Sequence, residues 1–254
     1  MDQSADTVVL AWLDAERRAL GSPGRDVVRE FSADRTECRI VHATCTPDNV
    51  DRVIRDEVAA ATESGYVLEW KLYGHDVPAD LPRRLTAAGF VADDVEAVLV
   101  LPLDDVGAFD GGDVRTRRVR DEHDLADYAE ISRASGRRDV ERECRHLAAV
   151  LRETPEEMSI HIAYVGDEPA ACGRVHFRPG GPHAELAGGR TKPAHRRKGL
   201  FTAVVGARLR EARQRGRTHA FVDALPTSAP TLRKRGFRLV TTTQPFVFTP
   251  QRTG

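Results

Sequence analysis

Positively charged residues and a glycine collect at the point where a predicted strand gives way to a predicted helix. In the segment Glu185–Thr202 (ELAGGRTKPAHRRKGLFT), Pro193 ends the strand, and five of the nine residues from Arg190 to Lys198 are cationic. The first N–H groups of a helix have no partner within it and lie at the positive end of its dipole. Gly199 carries no Cβ, so ligand oxygens can approach the backbone closely. The segment therefore predicts a binding site for a phosphate-bearing anion.

Alternating strand and helix patterns surround this basic segment in the second half of the chain. Strands are predicted at 114–119, 158–165, 170–177, 184–191, 219–223 and 237–248. Helices are predicted at 121–135, 140–152, about 200–214 and 228–235. The order is thus strand, two helices, three strands, the basic loop, and then helix, strand, helix, strand.

The basic loop and this element order resemble a known family. The pattern Arg196-x-x-Gly199-x-Phe201 is similar to the [QR]xxGx[GA] pyrophosphate loop of the GNAT superfamily of acyl-CoA-dependent N-acyltransferases, and Gly236-Phe237 is similar to the GF that follows the last helix of that family. The resemblance covers roughly residues 113–249. It implies a mixed α/β (α+β) fold, with a mostly antiparallel central sheet flanked by helices.

The resemblance also implies which residues hold acetyl-CoA. The backbone of Gly189–Thr191 would pair with the pantetheine arm, and an N–H near Gly189 would stabilise the oxyanion of the tetrahedral intermediate. N–H groups from Arg197 to Thr202 would hold the pyrophosphate, with charge added by Arg196 and Lys198. The full implied set is Gly189, Arg190, Thr191, Arg196, Arg197, Lys198, Gly199, Leu200, Phe201 and Thr202.

Glu185 is the candidate general base, because it lies 11 residues before Arg196, the offset at which relatives with a strand carboxylate place theirs. The alternative is a structural carboxylate paired with an arginine such as Arg174. Two positions depart from the family pattern: Phe201 replaces a Gly or Ala, and Leu232 stands where relatives carry a general-acid Tyr. Ser228 or water is the candidate replacement for that acid.

The first half predicts a second, smaller α/β region. Leu81–Phe90 and Ala229–Phe237 share a helix followed by Gly-Phe and a strand, which is either a true repeat, making this half a degenerate GNAT-like unit, or a pattern common in α/β folds. The glycine-containing stretch Asp104–Asp113 predicts a boundary between domains 1–110 and 111–254.

The first half lacks a counterpart of the basic loop. Thr46 and Pro47 predict an N-cap and first helical residue, but the residues that follow are acidic, so no acetyl-CoA should bind there. Tyr73, His75 and Asp76 are the candidate acceptor-binding residues of this half, while Trp70 and Leu72 alternate onto a face that predicts core.

Composition excludes several classes of protein. The 254 residues contain no apolar run long enough for a membrane span and no secretory signal, which predicts a cytoplasmic location. Four cysteines without CxxC spacing and strand histidines at 161, 176 and 183 predict packing and no metal site. The arginines at 208, 210, 213, 215 and 217 predict a solvated helix face, so nucleic acid is not an expected partner.

Charge is divided unequally along the chain. Residues 1–110 hold 11 Lys and Arg against 22 Asp and Glu, whereas residues 111–254 hold 27 against 17. This division predicts that the halves dock on each other, that the basic half binds an anion, or both.

The leading hypothesis is an enzyme that transfers an acetyl group from acetyl-CoA to a primary amine, of a small molecule or a peptide, directly in a ternary complex. The alternative is a non-catalytic acyl-CoA sensor, and a third reading is a nucleic-acid-binding module. A homodimer is left open.

Overall fold

The computed structural model describes residues 3–32, 34–104 and 106–251 of the chain. Within these, two compact units are formed. The first unit contains the described residues of 1–98, 224–230 and 239–254, and the second contains those of 99–223 and 231–238. The predicted domains 1–110 and 111–254 stay a prediction; the structure adds that the first compact unit takes in residues from near the end of the chain.

The first unit is a mixed sheet with helices. Its elements are α1 Gln3–Ala19, β1 Ser22–Pro23, β2 Val27–Phe31, β3 Glu37–Ala43, α2 Val50–Ser64, β4 Val67–Tyr73, α3 Leu81–Ala87, β5 Val91–Ala92 and, from near the end of the chain, β12 Arg238–Phe248 (from Leu239). The strand order is β1-β2-β3-β4-β12, and β5 also pairs with β12. Strands β3 and β4 are parallel over Glu37–Ile40 and Val67–Trp70, and α2 connects them.

The core of the first unit lies where α2 packs on this sheet. Helical spacing places Val50, Val53 and Ile54 on one face of α2, and they are buried with Trp70 and Leu68. The predicted core position of Trp70 is confirmed. The predicted N-cap at Thr46 is wrong: α2 begins at Val50, after a turn in which Asn49 Oδ1 accepts the Thr46 N–H at 2.7 Å.

The second unit has a longer sheet. Its elements are β6 Glu96–Pro102 (residues 99–102), β7 Thr116–Arg118, α4 Leu125–Ala134, α5 Val140–Glu153, β8 Met158–Val165, β9 Glu168–Phe177, β10 His183–Thr191, α6 Leu200–Gln214, β11 His219–Ala224 (to Asp223) and α7 Ala229–Lys234 (from Thr231). The strand order is β6-β11-β10-β9-β8-β7. Pairs β7–β8, β8–β9 and β9–β10 are antiparallel, and β10–β11 is parallel.

Helices cover both faces of this sheet. Ile160 and Ile162 of β8 pack in one cluster with Tyr128 of α4 and Leu147 of α5. Alternation turns the neighbouring His161 to the other face, where its Nε2 lies 2.6 Å from Glu211 of α6. The predicted mixed α/β fold with a mostly antiparallel sheet flanked by helices is therefore confirmed, and none of the helices in the described part of the chain has the length and apolarity needed to cross a membrane.

Candidate active site

Strands β10 and β11 part beyond a short ladder. They pair over only three residues, ending at Glu185 and Phe221, although β10 continues to Thr191. Along its other edge, β10 stays paired with β9 but with a bulge between Ala187 and Arg190. The edge of β10 beyond Glu185 thus presents backbone groups that an extended ligand can pair with.

The basic loop follows directly on this strand. Backbone φ angles of +62° at Arg197 and +80° at Gly199 turn the chain into α6, which begins at Leu200. The first helical N–H bonded back along the chain is that of Ala203, which donates to the Gly199 carbonyl at 3.0 Å. The N–H groups before it lie at the positive end of a 15-residue helix, beside the exposed side chains of Arg196 and Lys198.

Phe201 is accommodated by a glycine of the bulge. A Cβ on Gly189 would lie 3.2 Å from the Phe201 ring, so the ring packs where a side chain would otherwise stand. Phe201, the departure from the small residue of the family pattern, therefore packs against the Gly189 backbone of β10.

Glu185 lies on the last rung before the strands part. It is half-buried and faces His176 across the β9–β10 pair and Phe221 across the β10–β11 pair. Burial lowers the pKa of His176 to about 4, with Arg174 and two further basic residues adding to the effect, so this imidazole is neutral at pH 7. Sequence reasoning assigned His176 to packing and did not pair it with Glu185; the cross-strand register supplies that relation.

The Arg190 side chain turns from the loop toward α4 and α5. Its Nη1 donates to Ser132 Oγ at 2.8 Å, and its Nη2 lies 3.2 Å from Glu143. Glu143 also accepts from Tyr128 Oη and from Arg174 Nη1, each at 2.9 Å. Burial would raise the pKa of Glu143, but the hydrogen bond and charge of Arg190, with the charge of Arg174, lower it overall. Only the backbone of Arg190 stays available for the ligand role predicted for it.

Arg208 corrects the prediction of a solvated arginine face on α6. Its side chain is buried, with only 2% of the residue exposed, and its guanidinium donates to the carbonyls of Val204, Arg174 (2.9 Å) and Ala187 (3.3 Å). Gly173 makes room for it, since a Cβ there would lie 2.7 Å from the guanidinium carbon. Burial lowers the pKa of Arg208 to about 10. Arg174 and Ala187 are partners across β9 and β10, so Arg208 links the two strands by hydrogen bonds to both carbonyls beside the bulge.

Lys192, another cation of the basic segment, is also paired within the protein. Its side chain is buried, and its ammonium pairs with Glu130 and Glu168, the latter at 2.9 Å. His195 Nε2 lies 3.0 Å from the same Glu168. The charge offered to solvent by the loop itself comes from Arg196, Arg197 and Lys198.

Comparison with known proteins places this geometry in a family. Residues 122–237 match the acetyltransferase (GNAT) family model. Residues 122–237 are therefore identified as a GNAT acetyltransferase domain. No significant match was found among curated protein sequences.

Solved structures share the fold over nearly the whole chain. A GCN5-related N-acetyltransferase from Kribbella flavida superposes with a TM-score of 0.71 at 15% identity, covering 97% of this chain and 96% of that one. A tandem GNAT protein from the clavulanic acid biosynthesis pathway gives a TM-score of 0.61 at 12% identity, with coverages of 100% and 97%. A GCN5-related N-acetyltransferase from Sphaerobacter thermophilus gives 0.61 at 15%, with coverages of 98% and 86%. These likenesses support an architecture of two halves.

Ser228, the candidate general acid, lies outside the basic loop and bonds to a nearby backbone carbonyl. The half-buried Ser228 donates from Oγ to the Leu225 carbonyl at 3.2 Å, in a segment of the first unit, whereas Glu185 belongs to the second. Leu232, at the position of the family tyrosine, is buried. The role of Ser228 stays a prediction.

Tyr73, His75 and Asp76 are brought together in the first unit around Arg17, which sequence reasoning missed. Arg17 donates to both oxygens of Asp76 at 2.9 and 2.8 Å, stacks 4.0 Å from the Tyr73 ring centre and pairs with Asp14 at 2.7 Å. His75 Nε2 lies 3.0 Å from Asp14. The i, i+3 spacing of Asp14 and Arg17 on α1 could have indicated their ion pair, but not the contacts of Arg17 with Asp76 and Tyr73.

The same cluster has the donor set of a metal site. Ligand atoms of Asp14, His75 and Asp76 lie within 4.8 Å of one another. Arg17 already compensates both carboxylates, so an ion would have to displace its guanidinium.

Proposed function

We propose that the protein is an N-acyltransferase that transfers an acetyl group from acetyl-CoA to a primary amine, of a small molecule or a peptide, in a ternary complex. The observation that carries the proposal is that, in the second unit, an open strand edge is followed directly by the basic loop. The open edge of β10 beyond Glu185 leads directly into the loop of Arg196–Gly199 at the start of α6. A pantetheine arm and a pyrophosphate are joined in the same order.

The residues present fit acetyl-CoA. Backbone groups of Gly189–Thr191 pair with the amides of the pantetheine arm, and the N–H groups of Arg197–Thr202 bind the pyrophosphate with charge from Arg196 and Lys198. An N–H near Gly189 stabilises the oxyanion as the thioester carbonyl becomes tetrahedral. The bulge between Ala187 and Arg190 re-aims the backbone at this point.

Glu185 removes the proton that prevents the acceptor from reacting. An ammonium has no lone pair, so a carboxylate must take one proton, directly or through a water, before nitrogen attacks the thioester carbon. The C–N bond forms, the C–S bond breaks, and the nitrogen releases its second proton to water. The thiolate of CoA takes a proton from water or from Ser228, which would regain one from water. The products are the N-acetylated amine and CoA.

A non-catalytic acyl-CoA sensor is the second candidate, favoured by Leu232 at the position of the family's general acid. It requires the same loop and the same strand edge. It differs in predicting no turnover and no special role for Glu185.

Calorimetric titration with acetyl-CoA tests the binding site. Removing two cations in Arg196→Ala/Lys198→Ala should weaken binding about tenfold to a hundredfold, on the scale of hydrogen bonds to charged groups. The control Arg213→Ala/Lys234→Ala removes two exposed cations elsewhere in the second unit and should bind as the wild type does. Absence of saturable binding by the wild-type protein would overturn both the transferase and the sensor.

Release of CoA in the presence of amines then separates the two candidates. In a transferase, Glu185→Gln should lower kcat roughly a hundredfold or more without weakening acetyl-CoA binding, because only proton transfer is lost. A protein that binds acetyl-CoA but turns over no amine, and is indifferent to Glu185→Gln, is the sensor.

A further inference from the structure

Arg208 of α6 carries a buried positive charge that no carboxylate among the described residues balances. Only 2% of the residue is exposed, and its guanidinium donates to backbone carbonyls alone, those of Val204, Arg174 and Ala187. The charged groups that act on it are Cys172 and the like-charged Arg174. A buried charge without a counter-charge is costly, so this arginine indicates a role beyond the packing of α6.

The contact with Ala187 fixes the direction of one peptide group at the β10 bulge. Nη1 of Arg208 donates both to the Arg174 carbonyl of β9 at 2.9 Å and to the Ala187 carbonyl of β10 at 3.3 Å, so the Ala187 carbonyl is turned toward β9 and α6. The peptide between Ala187 and Gly188 is trans, and in a trans peptide the C=O and N–H bonds point in opposite directions. The Gly188 N–H is therefore turned toward the other edge of β10, from which β11 has parted.

The next peptide group is turned the other way. The Gly188 carbonyl accepts from Arg190 Nε at 3.2 Å, and the Arg190 side chain extends to α4, on the face of the sheet opposite to α6. The Gly189 N–H accordingly points to the α6 side, where Phe201 and Arg208 pack against the Gly189 backbone. Of the two glycine N–H groups in the bulge, that of Gly188 is the one presented to a ligand at the open edge.

The charge of Arg208 acts through the same peptide group. A hydrogen bond from a cation to a peptide carbonyl polarises the amide and strengthens the hydrogen bond that its N–H donates. Because the guanidinium is buried, water screens its charge only weakly. An oxygen that gains negative charge in front of the Gly188 N–H is then stabilised by that donor and by the guanidinium behind it. A carboxylate paired with Arg208 would cancel this effect, which is a physical reason for its absence.

We propose that Arg208 is a positioning residue for acyl transfer, which holds the Ala187–Gly188 peptide so that the Gly188 N–H donates to the thioester oxygen of bound acetyl-CoA. The inference rests on the proposed N-acyltransferase function and adds the residue that orients its oxyanion donor. Arg208 exchanges no proton and forms no covalent bond. The thioester oxygen gains negative charge as the amine attacks, and loses it when the carbonyl re-forms and the C–S bond breaks.

Infrared difference spectroscopy tests this polarisation without an acceptor amine. The probe is acetyl-CoA labelled with a heavy isotope at the carbonyl carbon, so that its C=O band is resolved from those of the protein. A hydrogen bond to the oxygen weakens the C=O bond, and the band should therefore move to lower frequency when acetyl-CoA binds to the wild-type protein.

Variants assign the band shift to Arg208. Arg208→Met keeps an unbranched side chain without charge or donor and should lose most of the shift, whereas Arg208→Lys retains the charge and should keep part of it. Arg213→Met, on the exposed face of α6, is the matched control and should keep the full shift. The basic loop is unchanged in Arg208→Met, so acetyl-CoA affinity should stay at the wild-type value, which also checks that the variant is folded.

Turnover gives a second readout that a purely structural role would not produce. With any amine that supports CoA release, Arg208→Met should lower kcat roughly tenfold to a hundredfold, which is less than the loss of an oxyanion donor itself. The KM for acetyl-CoA should be unchanged, because the stabilised charge exists only during the reaction.

A measurement on the wild-type protein decides the direction of the donor even where Arg208→Met does not fold. In protein labelled with a nitrogen isotope at glycine, the Gly188 amide resonance should differ between the acetyl-CoA and CoA complexes, since only acetyl-CoA offers a thioester oxygen. The Gly189 resonance, from an N–H turned to the other side, should differ less.

Two results overturn the proposal: a carbonyl band that Arg208→Met leaves at the wild-type position, and a larger change at Gly189 than at Gly188. Acetyl-CoA that binds the wild-type protein with an unshifted carbonyl band also overturns it, while the binding site stands. Failure to bind acetyl-CoA overturns the proposed function itself, so the two failures are distinguishable.

Discussion

Both units contain a helix that connects two parallel strands, and in both the strands part after a few residues. In the first unit, β3 and β4 pair only as far as Ile40 and Trp70, although both strands continue. In the second, β10 and β11 pair only as far as Glu185 and Phe221. These two strand–helix–strand segments, β3–α2–β4 (the first crossover) and β10–α6–β11 (the second crossover), therefore have similar backbone arrangements. Differences in their chemistry come from side chains.

The helix starts differ in what their backbone donors meet. Before α2, the Asn49 N–H donates to Thr46 Oγ1 at 3.3 Å while Asn49 Oδ1 accepts from the Thr46 N–H, so the turn satisfies its own groups, and Asp51 follows in the first turn of the helix. Before α6, Arg197 and Gly199 adopt positive φ among exposed cations. An anion is favoured at the second helix start and disfavoured at the first.

The parted strands are alike in one respect and differ in another. In the first unit, Arg17 of α1 donates from Nε to the Val41 carbonyl at 2.8 Å, just past the end of the β3–β4 ladder, and its guanidinium pairs with Asp76. In the second, the Ala187 and Gly188 carbonyls likewise accept from arginines of their own unit, Arg208 at 3.3 Å and Arg190 at 3.2 Å. The difference is that β10 continues past these carbonyls to Gly189–Thr191, the stretch proposed to pair with the pantetheine arm, and then to the basic loop.

Removing the guanidinium that closes the first crossover should have the largest effect. Arg17→Ala leaves Asp76 and Asp14 without their partner in a mostly buried place, which typically costs about 3–5 kcal/mol. Urea unfolding followed by tryptophan fluorescence reports on the first unit, because both tryptophans, Trp12 and Trp70, belong to it. Acetyl-CoA affinity should stay at the wild-type value.

The control for Arg17→Ala is Arg52→Ala, whose ion pairs are more exposed and should cost no more than about 1 kcal/mol. A second equivalent of acetyl-CoA bound by Arg17→Ala would contradict the comparison, since the first crossover would then be a ligand site closed only by one side chain.

Acidification should weaken the second unit through Glu211. Burial opposes its charge, but hydrogen bonds from His161 and Ser159 lower the pKa of Glu211 to about 2 from an ordinary value of 4.5. A carboxyl whose folded pKa is depressed stabilises the fold above its unfolded pKa, and this contribution is lost as the pH falls from about 4.5 to about 2. The shift corresponds to about 3 kcal/mol at neutral pH.

Glu211→Gln should therefore be less stable than the wild type at pH 7 and should flatten the acid limb of the stability curve, measured by circular dichroism during urea unfolding. Glu63→Gln, at an exposed position of α2, should leave both the neutral stability and the acid limb unchanged. An acid limb of the same steepness in Glu211→Gln would assign the acid sensitivity to other groups.

The features that could be predicted from the sequence are those that depend on residues close together in the chain. The element order of the second unit and the turn into α6 follow from apolar spacing, Pro193 and Gly199, all within short windows. The burial of Trp70 follows from alternation along a strand. The start of α2 was missed by a few residues, because the side chain of Asn49 closes a turn that Thr46 and Pro47 did not reveal.

The features that could not be predicted depend on partners distant in the chain. Arg17 contacts Val41 and Asp76, 24 and 59 positions away, and nothing in α1 indicates either partner. The burial of Arg208 requires the missing side chain of Gly173, and only the packing of α6 on β9 brings the two together. Charged residues are usually exposed, so a sequence pattern predicts them to be solvated. Arg17 and Arg208 are buried because backbone carbonyls distant in the chain accept their hydrogen bonds.

The smallest expected effect separates backbone strain from ligand binding. Gly199 and Gly65 have φ values of +80° and +74°, and each has open space where a Cβ would be placed. An alanine in the left-handed region costs about 1–2 kcal/mol, so Gly199→Ala and Gly65→Ala should lower stability by similar amounts. Only Gly199 opens a helix at which a phosphate is proposed to bind, so Gly199→Ala alone should weaken acetyl-CoA binding, by severalfold in calorimetric titration. Equal acetyl-CoA affinities in the two variants would mean that the phosphate does not approach the backbone at Gly199, and the contrast between the two helix starts would then rest on charge alone.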